Sequence, residues 1–363
     1  MRTTTKLGAA VLSAALLLAL QSPAMAADTN QNGSNTNQNG NYNQNGNDNH
    51  FDLQAHRGGI GLTVESTLAS FARGIDTGVS TLEMDLQITK DGREVITHDR
   101  KIDGRKCLDT APVTPNDPQF PYVGKYVKDL TFAQVRSLDC GTLTLPQFPG
   151  QQASPGAKMP TLAEVFAMAD AKHASQVKFN IETKVEAGAP EQTAPREQFV
   201  EVALREINKA HMQHRVSIES FDWGSLRLVQ QQAPQIPTVA LTNKDFLQVG
   251  QPGKSPWLGG IDADDFGGDL VAAAASLHFD AISPVHGSPQ NGKVTDANYV
   301  PYVTSDMVQR AHAAGMKVIP WTVDDKPTMR KLIADGVDGL ITDYPNVLRE
   351  VMSETGMKLP RIY

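Results

Sequence analysis

The stretch that decides the fold opens Ala55-His56-Arg57-Gly58-Gly59 and continues Thr81-Leu82-Glu83-Met84-Asp85-Leu86-Gln87-Ile88. It turns at Thr89-Lys90-Asp91-Gly92 and returns as Glu94-Val95-Ile96-Thr97-His98-Asp99. Asp-Gly between two strand-like runs is a hairpin signal, because Gly reaches the positive φ that tight turns need. A turn centred there puts His98 opposite or diagonal to Asp85, within cross-strand reach. Glu83 and Asp85 are two apart and share one face of a strand. Buried together they repel, and a bound cation relieves that repulsion. Oxygen ligands of this kind suit a hard divalent ion, Ca²⁺ first and Mg²⁺ second. The same residues also suit a solvated strand face ending in a turn.

His56-Arg57-Gly58, then Glu83-x-Asp85, then His98-Asp99, in this order and spacing, resemble the signature of the glycerophosphodiester phosphodiesterase family. Further similar stretches follow: Ile218-Glu219-Ser220-Phe221, Pro320-Trp321-Thr322-Val323-Asp324 and Gly336 through Pro345. The resemblance therefore covers nearly all of the chain beyond its N-terminal segment. It implies a phosphoric diester hydrolase of glycerol and lipid metabolism. Such an enzyme splits glycerophosphodiesters into glycerol 3-phosphate and an alcohol with the help of one divalent cation.

The rest of the chain expects one α/β domain over residues 51–363. Parallel-type strands are expected at Leu53–Ala55, Thr81–Ile88, Val177–Glu182, Arg215–Ser220, Thr238–Leu241, Ala281–Val285, Val318–Val323 and Gly339–Thr342. Helical runs lie between most of them: Glu65–Asp76, Thr161–Ala171, Glu197–Ala210, Trp223–Gln232, Ser305–Ala314 and Lys326–Ala334. Eight strands alternating with helices point to a (β/α)₈ TIM barrel, with Glu94–His98 as an extra hairpin arm.

Between Lys101 and Pro160 the chain is long and rich in Pro and Gly, with one helical piece near Leu130–Leu138. Cys107 and Cys140 are the only cysteines, so in an exported chain they are expected to pair. Closing that loop stabilises by roughly 3–4 kcal/mol on the chain-entropy model. This segment reads as a disulfide-closed insertion acting as a lid beside the active-site mouth.

Residues 1–26 have the form of a secretory signal peptide. Arg2 and Lys6 supply the positive start, Leu7 to Leu20 the apolar core, and Ala24-Met25-Ala26 the cleavage site. Residues 27–50 are almost all Asn, Gln, Gly, Asp, Ser and Thr, with too little apolar surface to fold, and read as a disordered linker. The expected address is periplasmic or secreted, after cleavage near Ala26, with no stable membrane anchor. Cleavage removes two positive charges and takes the net charge from −7 to −9. That argues against nucleic acid as a partner and leaves a small-molecule substrate. The oligomeric state is not legible.

Barrel enzymes place chemistry at the C-terminal ends of their strands. His56 and Arg57 close the first strand there. In Phe179-Asn180-Ile181-Glu182-Thr183-Lys184, Glu182 and Lys184 share a face. Glu182 is the expected third metal ligand beside Glu83 and Asp85. Arg57 and Lys184 are expected to bind the phosphate. His56 and His98 are the expected general acid and base. The family's helix-opening Pro-Glu-Asn-Thr is here Val64-Glu65-Ser66-Thr67, so Pro and Asn are missing. Glu65 either orients Arg57 or a histidine, or is a first-turn acid favoured by the helix dipole. Phe221 and Trp321 are candidates for the wall that holds the glycerol or head group; ordinary barrel packing is the other reading. Asp324 stands where the family often has Asn. The last stretch reads as structural, with Asp338-Gly339 turning into the final strand and Pro345 stopping it. Two alternatives remain: a phospholipase D-like enzyme on lysophospholipids or sphingomyelin, and a non-catalytic phosphate-ester binding protein.

Overall fold

In the computed structural model the described residues are 50–363. The expected signal peptide and all but the last residue of the expected linker lie outside them. Among the described residues there are eleven strands: β1 Asp52–Ala55, β2 Thr81–Ile88, β3 Glu94–Ile96, β4 Lys178–Thr183, β5 Val216–Ser220, β6 Thr238–Thr242, β7 Ala281–Pro284, β8 Gly287–Ser288, β9 Val300–Pro301, β10 Lys317–Val318 and β11 Gly339–Thr342. Eight of them form a parallel sheet in the order β10-β7-β6-β5-β4-β2-β1-β11. Its two ends meet, because Ile341 N donates to Pro320 O at 3.0 Å and Val323 N to Ile341 O at 3.0 Å. The result is the expected (β/α)₈ barrel.

Helices follow the strands: α1 Leu68–Thr77, α2 Phe132–Ser137, α3 Leu162–Ala171, α4 Arg196–Lys209, α5 Trp223–Gln232, α6 Lys244–Leu247, α7 Leu270–Ser276, α8 Ser305–Ala313, α9 Lys326–Ala334 and α10 Pro345–Glu354. None of the described helices is long and apolar enough to cross a membrane.

Two elements differ from the expectation. The first helix starts at Leu68, not Glu65, because Thr67 caps it and accepts from Ser70 N at 3.0 Å in a capping box. Ser66, just before it, has φ 54°, which no helix continues through. The run expected as a strand from Val318 to Val323 is regular only at Lys317–Val318. Pro320 has no N–H to give the ladder, so the chain goes on as irregular pairing.

All eight residues of β2 are buried. Leu82, Met84 and Leu86 belong to the apolar core, which includes Phe71 and Ile75 of α1 and Phe199 and Val200 of α4. The alternate face of the same strand carries Glu83, Asp85 and Gln87, also buried. Polar side chains from neighbouring strands meet there: Asn180 Nδ2 donates to Gln54 Oε1 at 3.1 Å and to Glu219 Oε2 at 2.6 Å.

β2 and β3 pair antiparallel, with Leu86 opposite Ile96 and Gln87 opposite Val95. Thr97 N then donates to Asp85 O at 2.9 Å, which sets His98 diagonal to Asp85 as expected. The insertion after β3 is closed by the Cys107–Cys140 disulfide and has its own small core of Val95, Ile102, Tyr122, Val127, Leu130 and Leu138 among others.

Candidate active site

Strand register builds the centre. Asp85 of β2 lies beside Glu182 of β4, and Glu182 beside Glu219 of β5. Parallel neighbours without stagger put three carboxyls at one level of the barrel. Glu83, Asp85 and Glu182 each present an oxygen within 4.8 Å of the others, all buried. Spacing and donor type fit a hard divalent cation, whose oxygen ligands stand roughly 2.0–2.6 Å from the ion. Asp85 Oδ2 supports the fit, being a buried carboxylate oxygen with no hydrogen bond. Burial, with Asp85 and Glu219 nearby, pushes the Glu83 carboxyl well above the usual carboxylate range. Burial beside Asp85 likewise raises Glu182 to about 7, although Lys184 opposes it. A bound cation would reverse both shifts by favouring the ionised forms.

Two cations flank the triad. Lys184 Nζ stands 3.0 Å from Glu182 Oε1 and 3.5 Å from Asp85 Oδ1. Burial opposes its charge, but Glu182 and Asp85 outweigh burial and raise its pKa. Arg57 sits in the turn that ends β1, at φ 51°. That left-handed backbone aims its N–H at Glu83 Oε2, 2.8 Å away. Its guanidinium meets Glu65 Oε2 at 2.5 Å and lies 3.4 Å from Asp85 Oδ2. Burial again opposes the charge, and Glu65 and Asp85 hold it protonated. Glu65 is thus an orienting partner of Arg57, not a first-turn helix acid. Despite burial, Arg57 and Lys106 bring it down to about 2.

Each histidine is held through Nδ1 by a carboxylate. His56 Nδ1 is 2.5 Å from Asp343 Oδ1, and its Nε2 is 4.0 Å from Glu83 Oε2. His98 Nδ1 is 2.8 Å from Asp99 Oδ1. Burial among Arg57 and Lys184 pushes the His98 pKa well down, so its ring is neutral near pH 7. Both histidines line one cavity of about 940 Å³ with the triad, Arg57 and Lys184.

Phe221 and Trp321 line the same cavity and pack edge to face at 5.5 Å. Phe246, 5.1 Å from Phe221, stacks on Trp257 at 4.2 Å, so the wall is wider than the two aromatics expected. Lys101 to Lys106, Tyr126 and Phe148 line it from the insertion. That segment forms one side of the mouth.

Two participants are absent from the expected set. Asp343 lies in the stretch read as structural, yet it holds His56; the signal available was its place just after β11, at a strand's C-terminal end. Glu219 is the second-last residue of β5, as Glu182 is of β4, so that parallel pointed to it. Asp324 accepts from Asp343 N at 2.8 Å and from Thr342 Oγ1 at 3.1 Å. Burial and the Asp343 charge raise its pKa to about 8. His211 and His214 do not line the cavity.

Comparison with known proteins agrees with this geometry. The profile of the glycerophosphoryl diester phosphodiesterase family matches residues 56–347. A glycerophosphodiester phosphodiesterase of Caldanaerobacter subterraneus is 29% identical over 302 residues, covering 83% of this chain and 98% of the relative. One from Bacillus subtilis is 29% identical over 303 residues, covering 82% and 85%. The crystal structure of a Silicibacter pomeroyi protein named for the same activity superposes with TM-score 0.69 at 26% identity, covering 85% of this chain and 95% of the other. An Oleispira antarctica phosphodiesterase in complex with the product sn-glycerol-3-phosphate shares the fold, with TM-score 0.59 at 19% identity, over 83% and 96%. A barrel with paired histidines around an acidic triad, matched from His56 to Val347, places the chain in the glycerophosphoryl diester phosphodiesterase family, and it is an enzyme of that class.

Proposed function

We propose that the chain hydrolyses glycerophosphodiesters to glycerol 3-phosphate and an alcohol, with Glu83, Asp85 and Glu182 holding one divalent cation, Ca²⁺ before Mg²⁺. The observation that carries this reading is the pair of carboxylate-held histidines sharing one cavity with the triad. When bound, the cation would polarise the phosphate and neutralise charge developing on it. Arg57 and Lys184 orient the phosphate and share that charge. His98, neutral near pH 7, takes the proton from the attacking oxygen. His56, protonated on both ring nitrogens with Nδ1–H held by Asp343, gives its Nε2 proton to the departing alkoxide as its P–O bond breaks. The first attacker is the neighbouring glycerol hydroxyl, which gives a cyclic phosphate that water then opens. A substrate lacking that hydroxyl is expected to react poorly; equal rates would remove this route.

The cavity of about 940 Å³ and its aromatic wall also favour a second substrate class, lysophospholipids or sphingomyelin, on the same machinery. The deciding assay gives the mature chain glycerophosphocholine and follows glycerol 3-phosphate release. Release that stops with EDTA and returns with Ca²⁺ or Mg²⁺ supports the first reading. Cleavage of lysophospholipid alone supports the second. Release that EDTA leaves untouched sinks the cation assignment. The protein is further proposed to be exported and cut near Ala26, since the Cys107–Cys140 disulfide fits an oxidising compartment. N-terminal sequencing of the exported chain checks the cut.

A further inference from the structure

We infer that Lys106, delivered by the disulfide-closed insertion, is a positioning residue that ties the His98–Asp99 pair to the Arg57–Glu65 pair. The inference rests on the reading of His98 as an acid–base group. Lys106 Nζ lies 2.5 Å from Glu65 Oε1 and 2.7 Å from Asp99 Oδ2. The other oxygens of those carboxylates are taken: Glu65 Oε2 by Arg57, and Asp99 Oδ1 by His98. Among the described residues, this ammonium is the one cation within ion-pair distance of both Glu65 and Asp99.

The physical need is plain. The two carboxylate oxygens are no farther apart than the sum of the two lysine contacts. Two negative charges at that separation repel strongly where water is scarce. With the ammonium between them the repulsion becomes attraction. Without it, Asp99 is the group free to move, because its side chain is 29% exposed against 8% for Glu65. Asp99 turning to solvent takes with it the partner of His98 Nδ1. Among the described residues, Asp99 is the one carboxylate within ion-pair distance of the His98 ring.

The insertion is built to hold Lys106 still. Residues 103–107 form a turn in which Lys106 N and Cys107 N both donate to Asp103 O, at 3.0 and 2.9 Å. On the near side, Ile102 N donates to Lys125 O at 2.9 Å and Gly124 N to Ile102 O at 2.8 Å. On the far side, Cys107 is bonded to Cys140, and Leu108 and Asp139 exchange backbone hydrogen bonds of 2.7 and 3.0 Å. The next residue in the chain after Lys106 is thus covalently anchored. The backbone that carries Lys106 is thus fixed on both sides, and only its side chain has to be ordered to grip the two carboxylates.

Lys106→Met, Lys106→Arg and the double variant Cys107→Ala/Cys140→Ala test the assignment in the mature chain. In metal-free protein, the ¹⁵N spectrum of the His98 ring reads which nitrogen carries the proton, independently of turnover. Wild type is expected to show Nδ1–H. Lys106→Met is expected to show a mixed population, and Lys106→Arg the wild-type pattern. With glycerophosphocholine, Lys106→Met should lower kcat by roughly 10–100-fold at nearly unchanged KM, and Lys106→Arg should stay within about fivefold. Assayed well below its Tm, the disulfide-free variant should fall part of the way, and adding Lys106→Met to it should cost less than Lys106→Met does in wild type. An unchanged His98 spectrum in Lys106→Met overturns the assignment whether or not the wild type turns over. So does an Arg variant that falls as far as Met in both spectrum and kcat. A wild type that releases no glycerol 3-phosphate, while its His98 spectrum responds to Lys106→Met, fails the proposed function and leaves the positioning role intact.

Discussion

Asp343 decides which nitrogen of His56 faces the cavity. A carboxylate only accepts, so the 2.5 Å contact takes the proton at Nδ1 and leaves Nε2 toward the phosphate. Asp343→Asn can present its amide N–H instead and select the other tautomer. It is expected to lower kcat by roughly 10²–10⁴-fold with KM little changed, as in other enzymes whose histidine loses its orienting acid; steady-state kinetics check this. Asp324 makes a prediction of a different kind. Its pKa lies at about 8 in the fold against an ordinary 3.8, because it is buried beside Asp343. Folding therefore takes up a proton between about pH 4 and pH 8. Stability from this group is complete below pH 4 and is lost as pH rises through 8. Asp324→Asn removes that dependence. The variant should match wild type near pH 4 and gain on the order of 2–4 kcal/mol over it by pH 8. Denaturant titrations across that range measure the difference, and equal gain at all pH values would contradict it.

At the scale of single elements, the turn after β1 carries more constraint than its length suggests. Gly58 has φ +83°, and a Cβ there would stand 2.7 Å from the backbone carbon of Ser70 and 2.8 Å from Phe71 N. Backbone of α1 cannot yield as a side chain does. Gly58→Ala should therefore cost about 1–3 kcal/mol and shift Arg57, weakening phosphate binding; a lower Tm with a raised KM is the expected pair of results. The insertion is the second such element. Losing the Cys107–Cys140 bond frees a loop with a sequence separation of 33. Cys107→Ser/Cys140→Ser is expected to lower Tm by roughly 5–12 °C, from about 3–4 kcal/mol of chain entropy. Calorimetry checks it, and an unchanged Tm would mean that the small core around Tyr122 holds the loop alone.

Over the whole molecule, the period of the chain was enough for the architecture. Alternating apolar runs and capped helices named all eight barrel strands within a few residues, because each is a local pattern with one way to bury its apolar face. The weak point was β10, where Pro320 breaks a run whose composition still looks like a strand. The disulfide was legible because the chain holds two cysteines and no others. Glu83 and Asp85 were legible as a pair because residues two apart share a strand face, whereas Glu182 joins them through the pairing of β4 with β2. The sequence by itself thus determined the barrel, the hairpin and the Glu83–Asp85 pair. Only tertiary structure decided which groups partner them. Asp343 reaches His56 across a sequence separation of 287, Glu219 joins Glu182 by register between strands, and Lys106 bridges two pairs from an irregular loop. Periodicity carries no information about such contacts. They depend on barrel closure and loop packing, which bring distant charges within a few ångströms only after the chain has folded.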